Sequence, residues 1–204
     1  MSVRGIELAL DQGAVLARLG DLMRAAQPRA GRTRIIGVDG RSGAGKTTLA
    51  RRLSAYLPAP VVSLEDLYGG WDGLTAGVDR LVSHVLTPLA ETGHALVPQF
   101  DWTTSAWLTP SPLLAQEMLV VEGVGCGARA AARFMSVLVW IEEPEDRRRS
   151  RALARDGDTY APHWDRWAAQ EADLLARERT WSRADVVLRS QPPDLARLGV
   201  CLAE

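Results

Sequence analysis

Lys46 is the only lysine among the 24 Lys and Arg residues of this 204-residue chain. It stands in Gly40-Arg41-Ser42-Gly43-Ala44-Gly45-Lys46-Thr47, which matches the pattern G-x-x-x-x-G-K-[ST]. Small residues at this spacing let successive backbone N–H groups approach a phosphate chain, and the positive pole of a following helix adds to their pull. A compact ammonium reaches between phosphate oxygens where a planar guanidinium would be too wide. A threonine hydroxyl next to it can ligate Mg²⁺. Gly40, Ser42, Gly43, Ala44, Gly45, Lys46, Thr47 and Thr48 are therefore expected to hold a triphosphate.

Three further segments carry acids or bases in useful places. Ser63-Leu64-Glu65-Asp66-Leu67-Tyr68 sets two adjacent carboxylates after a short apolar run. A carboxylate there can take the proton of an attacking hydroxyl or hold Mg²⁺. Val120-Val121-Glu122-Gly123 ends a second apolar run in an acid, a position suited to a metal-supporting carboxylate. Arg147, Arg151 and Arg155 recur every four residues and share one face of an expected helix. Guanidiniums on that face could neutralise a transferred phosphoryl group and act as a closing lid. Arg148 and Arg149 fall off this face and are expected at the surface.

The elements that must position these groups follow from hydrophobic periodicity. Strands are expected at Thr33–Asp39, Val61–Leu64, Leu96–Phe100, Met118–Glu122, Met135–Ile141 and Ala184–Leu188. Helices are expected at Ile6–Ala26, Thr47–Leu57, Thr75–Thr92, Pro144–Arg155 and Trp164–Trp181. Strand, glycine loop and helix thus run in the order that phosphate binding needs. The alternation of strands and helices predicts an α/β fold, with a parallel sheet covered by helices on both faces. Ligands then bind beyond the carboxyl ends of the strands. Residues 1–204 are expected to form one domain, with an N-terminal helix and linker at 1–32, a core at 33–190 and a lid near 144–160.

Composition narrows the chemistry. A net charge of −1 offers no basic nucleic-acid surface, and no apolar stretch is long enough to span a membrane. Cys126 and Cys201 lack the spacing of a metal site or a disulfide framework, which fits a cytoplasmic protein. The chain contains no asparagine, so a guanine-reading Asn-Lys-x-Asp motif cannot be present. His84, His94 and His163 lack ligand spacing; Cys126 is read as a small buried side chain. Trp164, Trp167 and Trp181 are read as packing residues, with Glu171 and Asp173 solvated. Trp71, Trp102 and Trp107 fall in expected loops, where they either line a pocket for a flat ring or cap the sheet edge.

Taken together, the segments from Ile35 to Arg189 resemble the uridine kinase and phosphoribulokinase-like family of P-loop kinases. The resemblance is carried by Gly40–Thr48, Glu65-Asp66-Leu67-Tyr68, Pro98-Gln99-Phe100-Asp101-Trp102, Val121-Glu122-Gly123, Arg151–Asp156 and Ala184-Asp185-Val186-Val187. It implies a P-loop NTPase three-layer sandwich with a helical lid, and transfer of the ATP γ-phosphoryl group to a hydroxyl with Mg²⁺. Asp66 would be the base or a metal-linked carboxylate, with Glu65 the alternative; Glu122 would support the metal, and Arg151 and Arg155 would clamp phosphates. Tyr68, Asp72, Phe100, Asp101 and Trp102 would lie at the acceptor. The stretch Thr103-Thr104-Ser105-Ala106-Trp107 lacks the family's His and Arg, and Leu67 stands where an aromatic is usual. The resemblance puts a nucleoside acceptor first, and these departures leave pantothenate, a sugar or another small alcohol as alternatives, with a nucleotide-binding regulatory module without turnover as a further one. A homo-oligomer is compatible with each.

Overall fold

The computed structural model describes residues 8–10, 12–190 and 198–201. In chain order the elements are β1 (Leu8–Leu10), α1 (Gln12–Ala25), β2 (Arg34–Gly40), α2 (Lys46–Tyr56), β3 (Val61–Ser63), α3 (Leu74–Arg80), α4 (Thr87–Thr92) and β4 (His94–Asp101). Then come β5 (Ala106–Leu114), β6 (Met118–Glu122), α5 (Arg129–Ala132), β7 (Val137–Glu142), α6 (Glu145–Tyr160), α7 (Trp164–Glu178), β8 (Val186–Ser190) and β9 (Leu198–Cys201). A six-residue π-helical stretch, Leu81–Leu86, joins α3 to α4, so the expected helix over 75–92 is present with a widened middle.

Seven strands form one sheet in the order β1-β9-β8-β7-β2-β6-β3. The five from β8 to β3 are parallel, and β9 and β1 add antiparallel at one edge. Side-chain alternation sorts the core. Ile36, Val38, Val120, Val139, Ile141 and Val186 bury one face against Val15, Leu19 and Met23 of α1 and Ala50 and Leu53 of α2. Ile35, Leu119 and Val121 bury the other against α3, α4 and α7. The sheet is thus covered by helices on both sides, as the near-continuous apolar strands require.

Several expectations shift. The first helix begins at Gln12 behind a short strand, and its expected start at Ile6 lies outside the described residues. The strand expected from Met135 begins at Val137, and the last parallel strand runs Val186–Ser190. Helix α6 continues past Arg155 to Tyr160, with a break in helical geometry at Gly157. β4 extends to Asp101 and pairs with β5, a strand outside those expected from periodicity. No helix among the described residues is long and apolar enough to cross a membrane.

Candidate active site

The glycine loop joins the carboxyl end of β2 to the first turn of α2. Gly45 caps α2 in the left-handed region at φ 99°, with no side chain bonded to the helix's first amides. A Cβ there would meet nothing within 4 Å, so the loop opens onto free space. Gly43 is the opposite case: a Cβ would come within 2.1 Å of the Arg148 carbonyl, because the start of α6 packs directly on the loop. Lys46 is buried and its Nζ donates to the Arg41 carbonyl at 3.1 Å, so the ammonium folds over the loop. Anion-binding amides, an open cradle and an ammonium fit a phosphate chain.

Beneath the loop lies Glu122, at the end of β6 and 1% exposed. Its Oε1 accepts from Thr47 Oγ1 at 3.2 Å and from Ser63 Oγ at 2.8 Å, whereas Oε2 is buried without a hydrogen-bond partner. Burial raises its pKa, and Lys46 opposes the rise. An orphan carboxylate oxygen beside a threonine hydroxyl is a hard-oxygen donor set that suits Mg²⁺. The described residues contain no group of three or more His, Cys, Asp or Glu able to cage a metal by themselves. The ion would therefore take its remaining ligands from phosphate and water, as Mg²⁺ commonly does.

Asp39, at the end of β2, has no role in the sequence reading. It is fully buried and accepts from the N–H groups of Gly40 (2.7 Å), Gly125 (2.9 Å) and Gly127 (3.0 Å). It ties the start of the phosphate loop to the turn after β6. Burial pushes its pKa up to about 6, against the pull of those amides and of Lys46. The available signal was the one that exposed Glu122: an acid ending a buried apolar run.

One cavity of about 450 Å³ opens beside the loop, and its wall includes Ser42, Thr47, Arg51, Glu65, Arg155 and Asp156. Its other side is aromatic: Tyr68, Trp71, Trp102, Tyr160 and Trp167. Trp71 stacks on Tyr160 and His163 with centroids 5.1 and 4.5 Å apart, and meets Trp102 edge-on at 4.8 Å. Trp102 Nε1 donates to the Glu65 carbonyl at 3.0 Å, fastening the aromatic wall to the acidic turn. Tyr68 Oη donates to the Val124 carbonyl, and burial lifts its pKa well above normal.

Of the acidic pair, Glu65 lines this cavity and Asp66 does not. Asp66 is half-buried beside it, and burial, then the Glu65 charge, raise its pKa. The arginine ladder divides similarly. Arg155 lines the cavity, bonds Asp156 at 2.7–2.9 Å and lies 3.8 Å from Glu65. Arg147 and Arg151 converge instead on the buried Glu143, at 3.6 and 3.4 Å.

The remaining expected acceptor residues stand apart from the cavity wall. Asp72 is exposed and paired with Arg166. Asp101 accepts from Thr103 N and Thr104 Oγ1 in the β4–β5 turn, bonds that lower its pKa. Phe100 packs on Trp102 and Trp107.

Three readings need correction. Arg148, expected at the surface, is buried and donates to the Glu143 and Ser42 carbonyls. Glu171, expected in solvent, is 1% exposed. Its Oε1 accepts from Ser42 N–H and from Trp167 Nε1. Trp167, expected only to pack, lines the cavity. His84 and His94 are exposed, and Cys126 is buried, as its reading as a small buried side chain expects.

Fold and loop together define a parallel α/β architecture with a phosphate-binding loop between β2 and α2. A protein described as a possible uridine kinase from Bacillus stearothermophilus superposes with a TM-score of 0.64 and 21% identity, covering 86% of this chain and 97% of its own. A protein assigned as a fructose transport system kinase from Silicibacter sp. TM1040 gives 0.60 and 19%, covering 86% and 95%. The YGR205w protein gives 0.57 and 11%, covering 84% and 91%. No protein-family model matches the chain, and a search of curated protein sequences gives no match. At these identities the likeness is one of fold, a P-loop α/β fold shared with proteins described as kinases.

Proposed function

We infer that this protein is an ATP- and Mg²⁺-dependent small-molecule kinase, which moves the γ-phosphoryl group to a hydroxyl of an acceptor bearing a flat ring, a nucleoside first among candidates. The observation that carries this reading is a cavity whose wall joins Ser42 and Thr47 of the phosphate loop to the indoles of Trp71, Trp102 and Trp167, and also includes Glu65. A triphosphate and a ring-bearing alcohol could meet there, their reacting atoms beside a carboxylate.

The chemistry is mainly positioning and charge stabilisation. Loop amides and Lys46 hold the terminal phosphates. Arg155 faces the transferred group and neutralises its charge. Thr47 and Glu122 would hold Mg²⁺, which when bound offsets charge on the β- and γ-oxygens. Glu65 accepts the hydroxyl proton as the acceptor oxygen forms its bond to γ-phosphorus. The bond from γ-phosphorus to the β–γ bridging oxygen breaks, and ADP leaves with the electron pair. Glu65 rather than Asp66 has this role because it is the member of the pair on the cavity wall.

A screen of nucleosides, sugars and pantothenate for ADP release tests the reading. Lys46→Ala serves as the inactive control. Stimulation by at least one alcohol, lost in that variant, is expected; a rate that no hydroxyl compound changes defeats it.

A further inference from the structure

Ser42 lies in the phosphate loop, yet its polar groups are held by the helices that follow β7. Its N–H donates to Glu171 Oε1 of α7 at 2.8 Å. Its carbonyl accepts from Arg148 Nη1 of α6 at 3.3 Å. The oxygen that takes the Ser42 N–H is the same Glu171 Oε1 that takes the indole N–H of Trp167, at 2.9 Å. Trp167 in turn lines the cavity and packs edge-on against Tyr68, with centroids 4.9 Å apart. One buried oxygen therefore touches both the phosphate half of the site and its aromatic half.

Placing a carboxylate here needs a reason. It is 1% exposed and lies next to a loop built to bind anions. Burying its charge is costly, and an apolar side chain would fill the same helix position without that cost. What a carboxylate adds is two short charge-assisted bonds whose geometries depend on each other. If the loop adjusts around phosphates, Ser42 N–H moves, Oε1 follows, and the indole of Trp167 must reorient or lose its partner.

We propose that Glu171 is a positioning residue coupling the nucleotide subsite to the acceptor wall, so that phosphate binding at the loop sets the orientation of Trp167. The purpose of this coupling rests on the kinase reading; its physical operation does not.

The test uses the full chain and MgADP as probe. Indole emission and calorimetric affinity would be measured for the wild type, Glu171→Ala, Glu171→Gln and Trp167→Phe. MgADP should change the emission of the wild type, and Trp167→Phe should remove most of that change. Glu171→Ala should bind MgADP about tenfold more weakly and lose the Trp167 component. Glu171→Gln, whose amide oxygen can still accept both bonds, should retain the signal and most of the affinity. Loss of one donor in Trp167→Phe should weaken MgADP about threefold, which keeps the proposal testable if Glu171→Ala fails to fold. A purely structural role would lower the melting temperature of Glu171→Ala while leaving MgADP affinity and the Trp167 signal as in the wild type, and that result overturns the proposal. So does a Trp167→Phe variant with wild-type affinity. Nucleotide binding that moves Trp167 in a protein without acceptor turnover removes the kinase reading and keeps the coupling. Ordinary turnover with an unmoved Trp167 removes the coupling alone, and a wild type that binds no MgADP removes both.

Discussion

Thr47 Oγ1 lies 3.2 Å from Glu122 Oε1, while the second oxygen of that carboxylate is buried without a partner. An acid left half-satisfied beside the phosphate loop has a defined consequence. Glu122→Gln keeps the shape and removes the charge, so the Mg²⁺ concentration needed for half-maximal activity should rise about tenfold or more. Magnesium titrations of the two proteins check this. Superimposable curves would take Glu122 out of the metal site.

Glu65 and Asp66 are neighbours in the chain and differ in where they stand. Glu65→Gln should lower kcat by about a hundredfold or more, in the range that general-base removal produces. Asp66→Asn should leave kcat within a few-fold. Steady-state rates with the best acceptor decide the matter, and the reverse pattern would return the base to Asp66.

The arginines of α6 should separate in the same way. Arg155 is on the cavity wall, whereas Arg151 is drawn to Glu143. Arg155→Gln is expected to reduce kcat/KM by about a hundredfold through lost charge stabilisation, and Arg151→Gln by much less. Equal losses in both would mean that the ladder acts as a unit.

Asp39 makes stability depend on pH. Burial raises its pKa from 3.8 to about 6, so the folded state holds this proton more tightly than the unfolded chain does. The stability it contributes is fully present below the ordinary value and is lost as pH rises through about 6. The change is on the order of 3 kcal/mol. Urea unfolding of the wild type and Asp39→Asn from about pH 4 to pH 7 should show a steeper fall in stability in the first than in the second. Parallel profiles would contradict this account of the buried acid.

The parts of the site that could be read from the chain are those written locally. Strand, glycine loop and helix lie in consecutive residues around Lys46, and Glu122 ends its own apolar run. Glu171 could not be found this way, because its partner Ser42 is 129 positions distant and its helix pattern reads as a solvated acid. The choice between Glu65 and Asp66 depends on the 3₁₀ turn Leu64–Leu67, whose tight winding sends adjacent side chains to different sides. The arginines share a face by spacing, but each step of four residues climbs roughly 6 Å along the helix. That is why Arg147 and Arg151 meet Glu143 while Arg155 reaches the cavity. β5 was hidden for another reason: Pro110 and Pro112 lie within it, and proline suits a strand only at an edge.

The central claim is transfer of a phosphoryl group to an alcohol, and phosphorus NMR observes it directly. MgATP would be incubated with the protein and one ring-bearing alcohol at a time, nucleosides first. The account predicts that the γ-phosphate signal converts to a phosphomonoester of the alcohol, with ADP formed in equal amount. ATP that stays intact, or that yields ADP and inorganic phosphate at a rate no alcohol alters, would contradict it.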